Sequence, residues 1–177
     1  NDIALLELSA PVPALSASWI PWLGAGADLS SGTEVVIAGW GSTPLDGETI
    51  AADVERVRVV REAVGPDIAL MVDANNAYRA HEAIRIARMM EPYDIYWFEE
   101  PLPIHDYEGH GKLAAESAVK IATGENGYHL AHFKTLLDHK AASILNVDVG
   151  VCPGYDVAMD IAELAAQRGV SIAPHGC

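Results

Sequence analysis

Short apolar runs alternate with stretches of helical periodicity over most of the chain. Val54, Val57, Val60 and Val64 fall on one side of a helix that begins near Ala52 and stops at Gly65-Pro66. Residues 68–72 then read as a strand. Ala83, Ile84, Ala87 and Met90 mark a second helix, and residues 95–98 the next strand, whose alternation sets Ile95, Trp97 and Glu99 on one side. A helix over about 109–118 leads to a strand ending at Thr123. Residues 130–139, with Phe133, Leu136 and Leu137 inward, precede the strand at 143–147. Residues 155–168, with Gly169 as their cap, precede the strand at 170–174.

An ionisable residue stands at or near the end of each of these strands. Glu99 follows Asp73 by 26 residues, Glu125 follows Glu99 by 26, Asp148 follows by a further 23, and His175 by 27. Each interval holds about one strand, one helix and two short loops. The repeat predicts an α/β fold with parallel strands, an incomplete (β/α) TIM-type barrel of about five βα units. In such a barrel the C-terminal strand ends converge around one axis, so residues far apart in sequence share a pocket.

Three carboxylates in a small volume repel one another unless they take up protons or a cation. Oxygen-only ligation from Asp73, Glu99 and Glu125 suits a hard divalent ion, and Mg²⁺ better than zinc. Asp148 and His175 suit a different task, a carboxylate that orients and charges an imidazole for proton transfer. A metal beside such a dyad points to enolate chemistry.

Half of the 177 residues are hydrophobic, enough for a sizeable core, and the formal net charge is −14. That charge, with no basic stripe against it, argues against nucleic acid or an anionic membrane as partner. No apolar run has the length of a membrane span and no start resembles a signal peptide, so a cytoplasmic setting is expected. Two cysteines, Cys152 and Cys177, are too few for a disulfide framework. The chain starts at Asn1 and stops at Cys177, directly after a strand-like run, so both ends read as cut.

Five motifs in order, Val72-Asp73-Ala74-Asn75, Trp97-Phe98-Glu99-Glu100-Pro101, His105-Asp106-Tyr107-Glu108-Gly109-His110, Thr123-Gly124-Glu125-Asn126 and Ala173-Pro174-His175, resemble the catalytic barrel of the enolase superfamily, mandelate racemase and sugar-acid dehydratase subgroup. The resemblance covers about residues 51–177. It implies Asp73, Glu99 and Glu125 as Mg²⁺ ligands and Asp148 with His175 as the dyad. Enzymes of this superfamily use a Lys or His base with Mg²⁺ to hold an ene-diolate. The implied substrate is a small-molecule carboxylate, a sugar acid or 2-hydroxy acid. His175 without an opposing base favours dehydration of a sugar acid over racemisation. The subgroup also has a Lys-x-Lys strand about thirty residues before the metal aspartate, where this chain has Ser42-Thr43-Pro44, and a final strand and a capping domain with no counterpart here.

Asn75 either meets substrate or shapes its loop. Glu100 is turned by alternation away from Glu99, toward a supporting or packing role rather than ligation. The histidines at 105–110 are expected in a loop that covers the pocket or caps the next helix, and His129, His132 and His139 on a helix surface.

Residues 1–49 do not share the repeat, and they are read as a domain apart from residues 50–177. Asn1-Asp2-Ile3-Ala4-Leu5-Leu6 and Gly39-Trp40-Gly41-Ser42-Thr43 resemble parts of a trypsin-like serine protease, on which Asp2 would be the triad acid. A triad acts only as a unit, and neither a histidine upstream nor a Gly-Asp-Ser-Gly nucleophile downstream completes it. A short β-rich remnant, two strands of a broken barrel, is the expectation. Three functions follow: Mg²⁺-dependent α-proton abstraction leading to sugar-acid dehydration, impaired by truncation; a non-catalytic fusion or interaction fragment, with homo-oligomers open; or a residual protease.

Overall fold

Each apolar run from residue 68 onward folds as a strand and each periodic stretch as a helix. The computed structural model describes residues 35–38 and 47–176. Within them lie the strands β1 (Val35–Ala38), β2 (Leu70–Asp73), β3 (Ile95–Glu99), β4 (Lys120–Thr123), β5 (Ile144–Leu145) and β6 (Ser171–Ile172). They alternate with helices α1 (Gly47–Val64), α2 (Ala80–Met90), α3 (Tyr107–Glu116), α4 (Leu130–Asp138) and α5 (Tyr155–Gln167), and a short 3₁₀ turn, Glu91–Tyr93, follows α2. No helix among the described residues is long and apolar enough to cross a membrane.

Every strand pair is parallel, in the order β1-β2-β3-β4-β5-β6. Each connection moves one place in the same direction, and right-handed crossovers then set all helices on one face. This is the winding of a barrel wall rather than of a doubly wound sheet.

β1 corrects the expectation for the N-terminal segment. Val35–Ala38 lies within the segment expected as a trypsin-like remnant, yet it is the first strand of the parallel sheet, with Ala38 opposite Asp73. Its unbroken apolar run suits a parallel strand covered on both faces. Six strands are therefore present where about five units were expected. Residues 47–49, given to the same remnant, open α1. The strand beside β2 is Val-Val-Ile-Ala rather than Ser42-Thr43-Pro44, and it too carries no lysine. Asp2 and the remainder of the 1–49 segment lie outside the described residues.

Strand alternation, broken once in β3, divides the side chains between two faces. Leu70, Val72, Ile95, Phe98 and Ile121 pack in one core cluster with Ala83, Ile86, Ala87 and Met90 of α2 and Leu113 of α3. Leu145 joins Phe133, Leu136, Leu137, Ile161 and Ala165 in a second cluster under α4 and α5. Burying each large side chain of this kind contributes roughly 1.5–3 kcal/mol. Met71, Asp73, Trp97 and Glu99 belong to the opposite face. Ile95 does not join them, contrary to simple alternation. The register slips between Leu70 and Met71, which pair with Ile95 and Trp97, so Tyr96 is an extra residue in the strand. That bulge returns Ile95 to the helix side and leaves Trp97 and Glu99 on the other.

Candidate active site

Asp73 closes β2 and Glu99 closes β3, and the parallel register sets the two opposite one another. Trp97, two residues before Glu99 on the same face, donates its indole N–H to Glu99 Oε2 at 2.9 Å. Beyond β4 the chain turns at Gly124, whose φ of +126° is glycine territory. A Cβ there would lie 2.9 Å from Phe133 Cε1, and one at Gly127 would lie 2.6 Å from Phe133 Cζ. Two glycines thus let the loop close over a buried phenylalanine, and Glu125 stands between them.

Asp148 and His175 meet through an isolated parallel bridge after β5 and β6. His175 Nδ1 lies 2.7 Å from Asp148 Oδ2, and Nε2 lies 3.3 Å from Glu125 Oε2. Asp148 is fixed in turn by the Gly150 N–H, 2.6 Å from its Oδ1. The imidazole is therefore held between two carboxylates from different loops.

The electrostatics follow from this crowding. Burial, reinforced by the charges of Asp73 and Glu125 and opposed by the Trp97 N–H, pushes the Glu99 carboxyl up to about 7. Glu125 is also raised, by burial first and then by the charge of Glu100. The hydrogen bond from His175 holds Asp148 below the usual carboxylate range. Burial pulls His175 down, but its bond to Asp148 and the charge of Glu125 outweigh it and the net direction is up.

Asp73, Glu99, Glu125, Asp148 and His175 therefore stand at consecutive strand ends, and the charge of Asp73 acts on both Glu99 and Glu125. Three mutually repelling oxygen donors fit a hard divalent cation in chemistry. Among the described residues, however, no three His, Cys, Asp or Glu side chains converge closely enough to hold a metal ion. Glu125 is turned to His175 instead. Strand register sets Asp73 opposite Glu99, while Glu125 Oε2 rests against the imidazole.

Asn75 sits in left-handed conformation with φ +45°. Its backbone N–H donates to Asp73 Oδ1 at 2.8 Å, the short-range turn that lets a strand-end aspartate shape its own loop. Glu100 is fully buried and points away from Glu99, accepting from Asn76, Thr123, Gly124 and Asn126. Those four partners escaped the sequence reading. Asn76 and Asn126 look like ordinary turn residues, and only the folded loops show that both aim at one carboxylate.

The histidines divide. Asp106 caps α3, its side chain accepting from Gly109 N at 2.9 Å, so the 105–110 stretch does start a helix. His110 is inside α3 and fully buried rather than in a loop, with Nδ1 on Asp106 O at 3.0 Å. His132 is half-buried, not a free surface residue, and lies 2.9 Å from the Tyr107 hydroxyl. It lines, with His105, Tyr107, Asn126 and Tyr128, a cavity of about 460 Å³ whose walls include none of Asp73, Glu99, Glu125, Asp148 and His175.

The model of a family described as enolase C-terminal domain-like matches residues 31–177, which takes in β1 and leaves a trypsin-like assignment there without support. The L-talarate/galactarate dehydratase of Salmonella typhimurium is 39% identical over 125 residues, 71% of this chain and 31% of that protein. The L-rhamnonate dehydratase of Saccharopolyspora erythraea is 37% identical over 136 residues, 75% of this chain and 35% of that protein. Among solved structures, L-talarate dehydratase from Polaromonas sp. JS666, complexed with Mg and L-glucarate, superposes with a TM-score of 0.75 at 35% identity, covering 81% of this chain and 39% of its own. A racemase from Streptomyces coelicolor A3(2) with bound magnesium gives 0.73 at 32% identity, covering 80% of this chain and 39% of its own. The chain spans about a third of the length of these curated relatives. With a family match that runs through every described strand, the chain belongs to the enolase C-terminal domain-like family of the enolase superfamily.

Proposed function

We propose that this chain carries the metal and base half of a Mg²⁺-dependent sugar-acid dehydratase site, formed by residues 50–177 together with β1. Asp73, Glu99 and Glu125 are the cation's ligands and His175 is the general base, oriented by Asp148. The observation that carries the reading is the imidazole held 2.7 Å from Asp148 and 3.3 Å from Glu125, at a rim where burial and then the charge of Asp73 push the Glu99 carboxyl up to about 7. Mg²⁺, when bound, supplies the positive charge that offsets these carboxylates and the charge that develops on a substrate carboxylate.

The protein's own groups do the rest. With Nδ1–H donated to Asp148, Nε2 is the nitrogen that can take a proton from the carbon α to the carboxylate. Nε2 acts as a base only in the neutral imidazole, so a proton already on it must first pass to solvent, and turning Glu125 away from Nε2 removes a charge that favours the protonated ring. The proton so gained can leave with the β-hydroxyl as water, which balances a dehydration and needs no second base. Relatives named as sugar-acid dehydratases, and one solved with L-glucarate, support that substrate class.

The test is thermal unfolding with and without Mg²⁺. The melting temperature rises with the cation in the wild type and does not respond in Asp73→Asn. Identical, metal-independent melting in both proteins overturns the reading and leaves an interaction fragment, which sedimentation would show as defined, metal-independent association.

A further inference from the structure

We propose that Glu100 is a positioning residue, a buried clamp that fixes the loops after β2 and β4 so that Asp73 and Glu125 keep their places beside Glu99. The inference rests on the reading of those three acids as cation ligands. Glu100 itself touches none of the reacting groups.

Glu100 follows Glu99 directly, and its backbone is left-handed, with φ +38°. For a residue with a Cβ that conformation is strained, and it persists only where its surroundings dictate it. The turn sends the carboxylate to the helix side of the sheet, where it has no exposure at all. Oε1 accepts from the Thr123 hydroxyl at 3.1 Å and Gly124 N at 3.3 Å. Oε2 accepts from Asn76 Nδ2 at 2.7 Å and Asn126 Nδ2 at 3.0 Å. The backbone repeats the pattern, with Asn76 N donating to Glu100 O at 2.6 Å and Glu100 N donating to Ala122 O at 2.9 Å.

One carboxylate thus joins three consecutive strand ends. Asn76 lies three residues after Asp73, while Gly124 and Asn126 flank Glu125 on either side. All four side-chain contacts come from uncharged donors. A buried carboxylate held by neutral groups is a poor device for stability alone, since an apolar side chain would avoid its desolvation. It is a good device for geometry, because two oxygens with fixed lone-pair directions set the spacing of two loops at once. Supports of this kind shift metal affinity by roughly 10- to 100-fold when removed.

Glu100→Gln is the discriminating change. The amide keeps an acceptor for Thr123 and Gly124 but turns a donor toward Asn76 and Asn126. Asn76 Oδ1 is buried without a partner, so that side chain can reverse and accept; Asn126 is left opposed. The experiment compares wild type, Glu100→Gln and Asn126→Ala by peptide-level amide exchange and by Mg²⁺ titration. The titration is read through Trp97 fluorescence, taken as the difference from Trp97→Phe.

Glu100→Gln is expected to keep its circular dichroism spectrum, to speed exchange at 123–127 by about tenfold with a smaller change at 74–78, and to weaken Mg²⁺ binding about tenfold. Asn126→Ala should loosen 123–127 alone and weaken binding less. It carries the same test if Glu100→Gln does not fold. Unchanged exchange in both loops overturns the clamp, and so does faster exchange with unaltered Mg²⁺ affinity, which would make Glu100 a packing residue. A wild type that ignores Mg²⁺ defeats the ligand assignment instead, and exchange alone then decides the clamp.

Discussion

His175 Nδ1 and Asp148 Oδ2 lie 2.7 Å apart across 27 residues of chain. Neither strand alone has reason to end in that residue; only adjacent parallel strands with matched ends bring them together. Their shifts carry opposite signs, His175 up and Asp148 down, because one bond favours both charged forms.

Asp148→Asn removes the partner that raises His175. The imidazole pKa is expected to fall, followed by the proton shift of its ring in an NMR titration. The pair stabilises the fold only while both groups are charged in it. The gain appears above the ordinary aspartate value of 3.8 and is lost as pH rises through the folded His175 value, which lies above 6.5. The stability gap between wild type and variant should therefore be widest between those limits and shrink on either side. An imidazole that titrates alike in both proteins would remove the dyad.

Glu99 behaves in the opposite sense. Its folded pKa of about 7 against an ordinary 4.5 means that the folded chain holds a proton which the unfolded chain gives up. Stability from this group is present at acidic pH and is lost as pH rises from about 4.5 to about 7. The loss is on the order of 2 kcal/mol after allowance for coupling with Asp73 and Glu125. Urea midpoints at pH 5 and pH 8 should show it, and Glu99→Gln should flatten the slope. Equal slopes in the two proteins would mean that the acids do not feel one another.

Cation binding should be linked to the same proton. If Glu99 must be ionised to ligate, Mg²⁺ uptake releases protons below about pH 7 and affinity rises with pH up to that value. Calorimetric titration in two buffers of different ionisation enthalpy measures the release. Its absence at pH 6, with binding intact, would take Glu99 out of the ligand set.

Much of this site was legible because the chemistry recurs with the repeat. Asp73, Glu99 and Glu125 stand where apolar runs stop, and a parallel fold has no other way to end such a run than at one rim. What the sequence hid was local. The bulge at Tyr96 is a register slip with no residue signature, so Ile95 was set on the wrong face. β1 was lost because a run of four residues, Val-Val-Ile-Ala, suits an antiparallel remnant as well as a parallel edge, and only its pairing with β2 decides. His110 stands where the 105–110 loop or cap overlaps the helix expected from about residue 109, and nothing in its neighbours signals that it is buried inside α3. Alternation says nothing of the four donors around Glu100, because the left-handed turn that brings them together lies just past the end of β3.

The turn that carries Glu125 offers the sharpest structural test. Gly124→Ala meets two obstacles at once, a φ of +126° that residues with a Cβ rarely adopt and a contact of 2.9 Å with the ring of Phe133. Phe133 is fully buried beside Leu136 and Leu137 and has no free space into which to retreat. The substitution should therefore cost about 2–4 kcal/mol, backbone strain and overpacking together. The same movement displaces Glu125 from His175, so the imidazole pKa should drop along with the melting temperature. Phe133→Leu in the same chain makes room for the new methyl and should return part of the stability without relieving the backbone. A Gly124→Ala protein as stable as the wild type would show that the loop has another way to close, and that the place of Glu125 is not set by this turn.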